Sequence, residues 1–167
     1  MHQIRAVLSV IFTILVHAAL APASLADGFD LPLERAKSGN LYVDAQLGNE
    51  MATRMLLDTG SGYVSLTAET FRRLKRDATE SEMPVFSRRI TGVMANGRSA
   101  SVPVYRLAEL TIGGCVLQDV EAVVFSRASE NILGLSALRR VQPFTIDMDQ
   151  GKLSGTACST AAPLAPL

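Results

Sequence analysis

The chain has 167 residues, 48% of them hydrophobic, with 16 basic and 16 acidic side chains. That is enough for about one domain with its own core, and it excludes a disordered composition. A formal charge of zero leaves no basic excess with which to hold nucleic acid.

Residues 1–26 read as a targeting segment. Arg5 supplies a positive start, residues 6–21 form an uncharged and mostly apolar run, and Ser24-Leu25-Ala26 fits a small-x-small cleavage site. The apolar run nearly reaches the roughly 20 residues that span a bilayer, so the segment is expected either to be cleaved or to remain as a membrane anchor. Both outcomes carry the domain out of the cytoplasm, to the periplasm or beyond. Removing the segment takes one arginine and no acid, which leaves a charge of −1.

Both histidines, His2 and His17, fall in this segment. The rest of the chain therefore cannot build a Ser-His-Asp triad, a Cys-His dyad or a histidine-ligated metal site. Only Lys37, Lys75 and Lys152 remain for a Ser-Lys pair, and none sits in a recognisable motif. Hydrolytic chemistry, if present, rests on carboxylates. Cys115 and Cys158 are the two cysteines. In an exported chain they are expected to form one disulfide, with free or intermolecular thiols as the alternative.

Residues 27–39 read as an extended arm and residues 40–156 as the folded domain, with 157–167 as a flexible tail. Leu41, Val43, Ala45 and Leu47 alternate with polar residues, a strand closed by Gly48-Asn49. Residues 51–58, "MATRMLLD", continue as its hairpin partner, and "YVSLT" is a further strand. Thr67 is a helix N-cap for "AETFRRLKRD", whose Phe71 and Leu74 face inward while its basic residues form a solvated face.

Beyond a polar loop, "FSRRITGVMANGRSASVPVYRL" is a hairpin, with Asn96-Gly97 as its two-residue turn. A strand, a Gly113-Gly114 turn and another strand follow. "ENILGLSALRRV" is an apolar run into a short helix, and a last hairpin turns at Asp149-Gln150-Gly151. Seven or eight short strands make the domain all-β, a small closed barrel. No phosphate loop, dinucleotide fingerprint, zinc spacing or calcium loop is present.

One residue stands out. Asp58 follows three apolar residues and precedes Thr59-Gly60-Ser61. A carboxylate driven off the end of a buried strand is costly unless it is used. Held rigidly it can act as a base toward water, yet amide hydrolysis also needs an acid. Two carboxylates sharing one proton supply both. No other aspartate has an Asp-Thr/Ser-Gly context, so the partner must be Asp58 of a second copy, on a twofold axis.

The ordered set "LLDTGS", a strand and helix, a hairpin with "ANG" at its tip, then "NILGLSALRR", resembles the retropepsin-like aspartic proteases over roughly residues 39–155. The resemblance implies a homodimeric acid-protease barrel with one or two short helices and no metal or cofactor. By position it makes Asp58 the carboxylate that activates water, with Thr59 reaching across the twofold. The Gly60 N–H would orient the carboxylate, and Ser61 would bond its outer oxygen. Residues 89–102 become a flap over a polypeptide substrate, with Met94, Ala95, Asn96 and Gly97 at its tip. Ile132, Leu133 and Gly134 would pack beneath the catalytic loop. The competing expectation is a module of the same fold that binds peptides in the cell envelope without cutting them; a weaker one is processing of its own chain ends.

Overall fold

The computed structural model describes residues 28–48, 50–93 and 97–158. The expected targeting segment, the tail past Cys158, and Met94, Ala95 and Asn96 at the hairpin tip lie outside them.

Eleven strands and two short helices occur among the described residues. Strands β1 (Phe29–Pro32) and β2 (Glu34–Arg35) come from the arm, whose residues 36–39 form a turn, with the Gly39 N–H donating to Ala36 O at 2.9 Å. Next come β3 (Leu41–Leu47), β4 (Met51–Leu57), β5 (Val64–Thr67) and helix α1 (Ala68–Asp77). Strands β6 (Val85–Val93), β7 (Ser99–Ile112) and β8 (Cys115–Phe125) form a long meander. The chain closes with β9 (Ile132–Leu133), helix α2 (Leu135–Leu138), β10 (Phe144–Asp147) and β11 (Lys152–Gly155).

The main sheet runs β2-β3-β4-β9-β5-β8-β7-β6, and an added β3–β7 pairing closes it into a ring. Closure fixes the inward faces. Leu47, Met55, Leu66, Leu110, Leu117 and Leu133 are sealed from solvent inside the ring, and burying each such side chain is worth about 1.5–3 kcal/mol. Strands β1, β11 and β10 form a separate antiparallel sheet.

Local chemistry sets the element ends. Thr67 Oγ1 accepts the Thr70 N–H at 3.0 Å and caps α1, while Phe71 and Leu74 bury its inner face. Gly113 and Gly114 both have positive φ, +56° and +84°, as a two-residue turn of this hand demands, and they let Ile112 pair directly with Cys115.

Strands β6 and β7 stay paired to the end of the hairpin, Val93 with Ser99 and Thr91 with Ser101. Asn96, the first residue of the expected two-residue turn, lies outside the described residues; Gly97 has a positive φ, +76°.

The arm docks because of Phe29. Its ring fills the space that a Cβ would occupy at Gly113 and Gly155, 2.6 Å and 2.4 Å from the positions of such atoms. Asp30 beside it is held below its usual 3.8, first by a hydrogen bond from Ser154 and then by Lys152, whose Nζ donates at 3.0 Å. A lowered carboxylate adds stability above its unfolded value and loses it as pH falls through the folded one. Being exposed, the contribution is small. The thermal midpoint difference between wild type and Asp30→Asn is therefore expected to hold near neutrality, to begin to shrink near about pH 4 and to vanish only as the pH falls through the lower folded value.

Cys115 and Cys158 form a disulfide that closes a 43-residue separation and ties the segment after β11 to the start of β8. Chain-entropy arguments give such a loop up to about 4 kcal/mol. Reduction is expected to lower unfolding stability by about 2–4 kcal/mol, read from urea titrations of the oxidised and reduced protein.

Candidate active site

Asp58 stands where β4 ends, and the strands on either side hold it there. Leu56 and Leu57 pair in parallel with Ile132 and Leu133 of β9. The Leu56 N–H donates to Asn131 O at 2.8 Å, and the Asp58 N–H to Leu133 O at 3.2 Å. Met55 and Leu133 are fully buried, so the strand end cannot drift.

The next three residues turn back on the carboxylate. The Gly60 N–H donates to Asp58 Oδ1 at 2.8 Å, and Ser61 Oγ donates to Oδ2 at 2.7 Å. The Ser61 N–H meets Asp58 O at 3.3 Å. Each carboxylate oxygen thus has one fixed donor, and the plane of the group is set. A Cβ on residue 60 would stand 3.1 Å from Oδ1, which is why glycine suits this close approach. Asp58 is half-buried, while Thr59 and Gly60 are exposed at the loop tip.

Beneath the loop lies Gly134. The Leu135 N–H donates to Ser61 O at 2.8 Å. A Cβ on residue 134 would fall 2.1 Å from Tyr63 O and 2.7 Å from Ser61 O. Further supports were not legible in the sequence. Asn131 Oδ1 accepts the Thr67 N–H at 3.0 Å. Ser136 Oγ accepts the Val64 N–H and donates to Glu121 O, both at 2.8 Å. The apolar-apolar-Gly run pointed at this corner, but nothing in it singled out a neighbouring serine.

The β6–β7 hairpin connects to the same corner. Val102, Val104 and Val123 form a second apolar cluster with Ile90, Ala100, Phe125 and Tyr63. Arg88 of β6 pairs with both Glu121 carboxylate oxygens and donates to Tyr63 Oη at 3.2 Å. The Glu121 hydrogen bond, ahead of the other influences, holds the Arg88 guanidinium above its ordinary value. Of the expected flap-tip residues only Gly97 is described. Among the described residues, no group of three or more His, Cys, Asp or Glu side chains is placed to hold a metal ion.

The family described as "gag-polyprotein putative aspartyl protease" matches residues 43–140, more than half of the chain. The chain belongs to the retropepsin-like aspartic protease family. Among solved structures, a retropepsin-like aspartic protease from Rickettsia conorii is 26% identical, with a TM-score of 0.60 over 78% of this chain and 94% of that one. The retroviral protease-like domain of Ddi1 from Leishmania major is 20% identical, with a TM-score of 0.49 over 68% of this chain and 86% of that one. No curated protein matches. The retropepsin-like match begins at Val43 in β3 and ends at Arg140 after α2, so it contains the Asp58 loop, the hairpin and the Gly134 corner, and omits the β1-β11-β10 sheet.

Proposed function

We propose that the protein is an aspartic endopeptidase that works as a homodimer, with Asp58 of each copy meeting at the twofold axis. The observation that carries this reading is the Asp58 carboxylate, with one donor fixed on each oxygen at 2.8 Å and 2.7 Å, at the open end of a buried strand. A turn aspartate that merely caps local N–H groups does not need an apolar strand on both sides and a glycine corner pressed under it.

The chemistry follows from the pair. One Asp58 is ionised and the other protonated, because adjacent carboxylates share a proton. The ionised group takes a proton from water as the water oxygen bonds to the substrate carbonyl carbon. The protonated group gives its proton to the carbonyl oxygen. The resulting tetrahedral diol collapses when the C–N bond breaks: the leaving nitrogen takes a proton from one Asp58, a diol hydroxyl gives its proton to the other, and the shared proton is restored. No covalent intermediate forms. Gly60 and Ser61 hold the carboxylate plane throughout, and in this reading Thr59, which is exposed, meets the partner's loop. The β6–β7 hairpin closes on an extended polypeptide through strand-like hydrogen bonds.

The Cys115–Cys158 bond supports an oxidising compartment, in line with export through residues 1–26. Among the described residues, no helix is long and apolar enough to cross a membrane.

The test is cleavage of an unbiased peptide mixture at about pH 4 to 7, with the mass of the protein measured by sedimentation. Cleavage by a dimer, with a bell-shaped pH dependence, is expected. A folded monomer that cuts nothing would shift the reading to a peptide-binding module of the same fold.

A further inference from the structure

Strand β6 is an edge strand with a register break. Phe86 pairs with Tyr105, but the next pair is Arg88 with Val104, so Ser87 is an extra residue. Such a bulge re-aims the side chains that follow it. Past the break, Arg88, Ile90 and Gly92 are the less exposed residues, and Arg89, Thr91 and Val93 face solvent. The bulge therefore turns Arg88 inward, toward Glu121 and Tyr63.

The side chains of Arg88 and Glu121 are 33% and 17% exposed, so both charges are partly withdrawn from water. That is unfavourable unless the geometry is good, and here it is bidentate, with Arg88 Nη2 2.9 Å from Glu121 Oε2. Two routes then lead from Arg88 to adjacent residues of the Asp58 segment. One is direct, from Nη2 to Tyr63 Oη at 3.2 Å. The other runs through Glu121, whose own carbonyl accepts from Ser136 Oγ, which in turn accepts from the Val64 N–H. Tyr63 and Val64 lie five and six residues after Asp58.

We propose that Arg88 is a positioning residue: together with Glu121 and Tyr63 it clamps the base of the β6–β7 hairpin to the segment that carries Asp58, and so sets the height at which the hairpin closes over substrate. The proposal rests on the reading of Asp58 as catalytic and of the hairpin as a flap. The clamp itself is testable without cleavage. Arg88→Met keeps an unbranched stem and removes the charge. Arg88→Lys keeps the charge but cannot bridge both Glu121 oxygens and Tyr63. Tyr63→Phe removes one hydroxyl and leaves the ring packed.

Amide exchange measured on the purified protein is the first readout. Arg88→Met is expected to speed exchange roughly tenfold in β6 residues 90–93 and in residues 61–64, with β10 and β11 unchanged. Tyr63→Phe should do so less, and Arg88→Lys should fall between wild type and Arg88→Met. With a peptide the wild type cuts, kcat/KM measured well below every variant's thermal midpoint should fall about tenfold in the same rank order. Exchange that stays at wild-type rates in residues 90–93, or that rises equally across the whole domain, would overturn the clamp. If the wild type cuts no peptide while the exchange pattern is as expected, the clamp stands and the proteolytic reading fails.

Discussion

Replacing Asp58 with asparagine is expected to lower peptide cleavage by at least about a thousandfold, the scale on which a general acid–base pair acts, while leaving the fold intact. Asparagine has nearly the same shape. Its amide oxygen can still accept the Gly60 N–H that now reaches Oδ1 at 2.8 Å. Its amide nitrogen can donate to Ser61 Oγ, which the structure places 2.7 Å from Oδ2. The local turn is thus preserved, and the half-buried site loses a charge rather than a packing contact. The property lost is the ability to take a proton from water and return one to the leaving nitrogen. Rates on a defined peptide, set beside near-ultraviolet circular dichroism and thermal unfolding, check the pair of claims. Retained cleavage by the pure variant would contradict the mechanism. An unfolded variant would contradict the structural half of the account.

Gly134→Ala is expected to cost about 3 kcal/mol or more, and to abolish cleavage with it. The reason is space, not backbone conformation. Gly134 has φ −103° and ψ −173°, a conformation open to alanine. Its Cβ, however, would lie 2.1 Å from Tyr63 O and 2.7 Å from Ser61 O. Both are backbone atoms of the Asp58 segment, so no side chain can swing away to relieve the overlap. The segment itself must move, and Ser61 is the donor to Asp58 Oδ2. Gly62→Ala is the control, since nothing lies within 4 Å of a Cβ there. Urea titration of the two variants, with their rates, checks the contrast. Equal stability of Gly134→Ala and Gly62→Ala would refute the packing argument.

The contrast also marks what the sequence could reveal. Asp58, Gly60 and Ser61 interact within four residues of one another, so their arrangement is legible as a motif. The Thr67 cap of α1 and the Gly113-Gly114 turn are local in the same way. Arg88 and Glu121 lie 33 positions apart and meet only because a bulge at Ser87 turns one of them inward. No periodicity announces that. Strand β1 docks through Phe29, which finds space at two glycines far along the chain, and no local pattern reports that. Strands as short as Ile132–Leu133 carry too few residues for any alternation to show.

The central claim is that one Asp58 from each of two copies makes a single site. The most direct measurement is the activity of a purified heterodimer, co-expressed with different tags on a wild-type chain and an Asp58→Asn chain. This heterodimer is expected to be inactive, to the same degree as the doubly substituted dimer. Activity near about half that of wild type would mean that each copy works alone, and would contradict the twofold site.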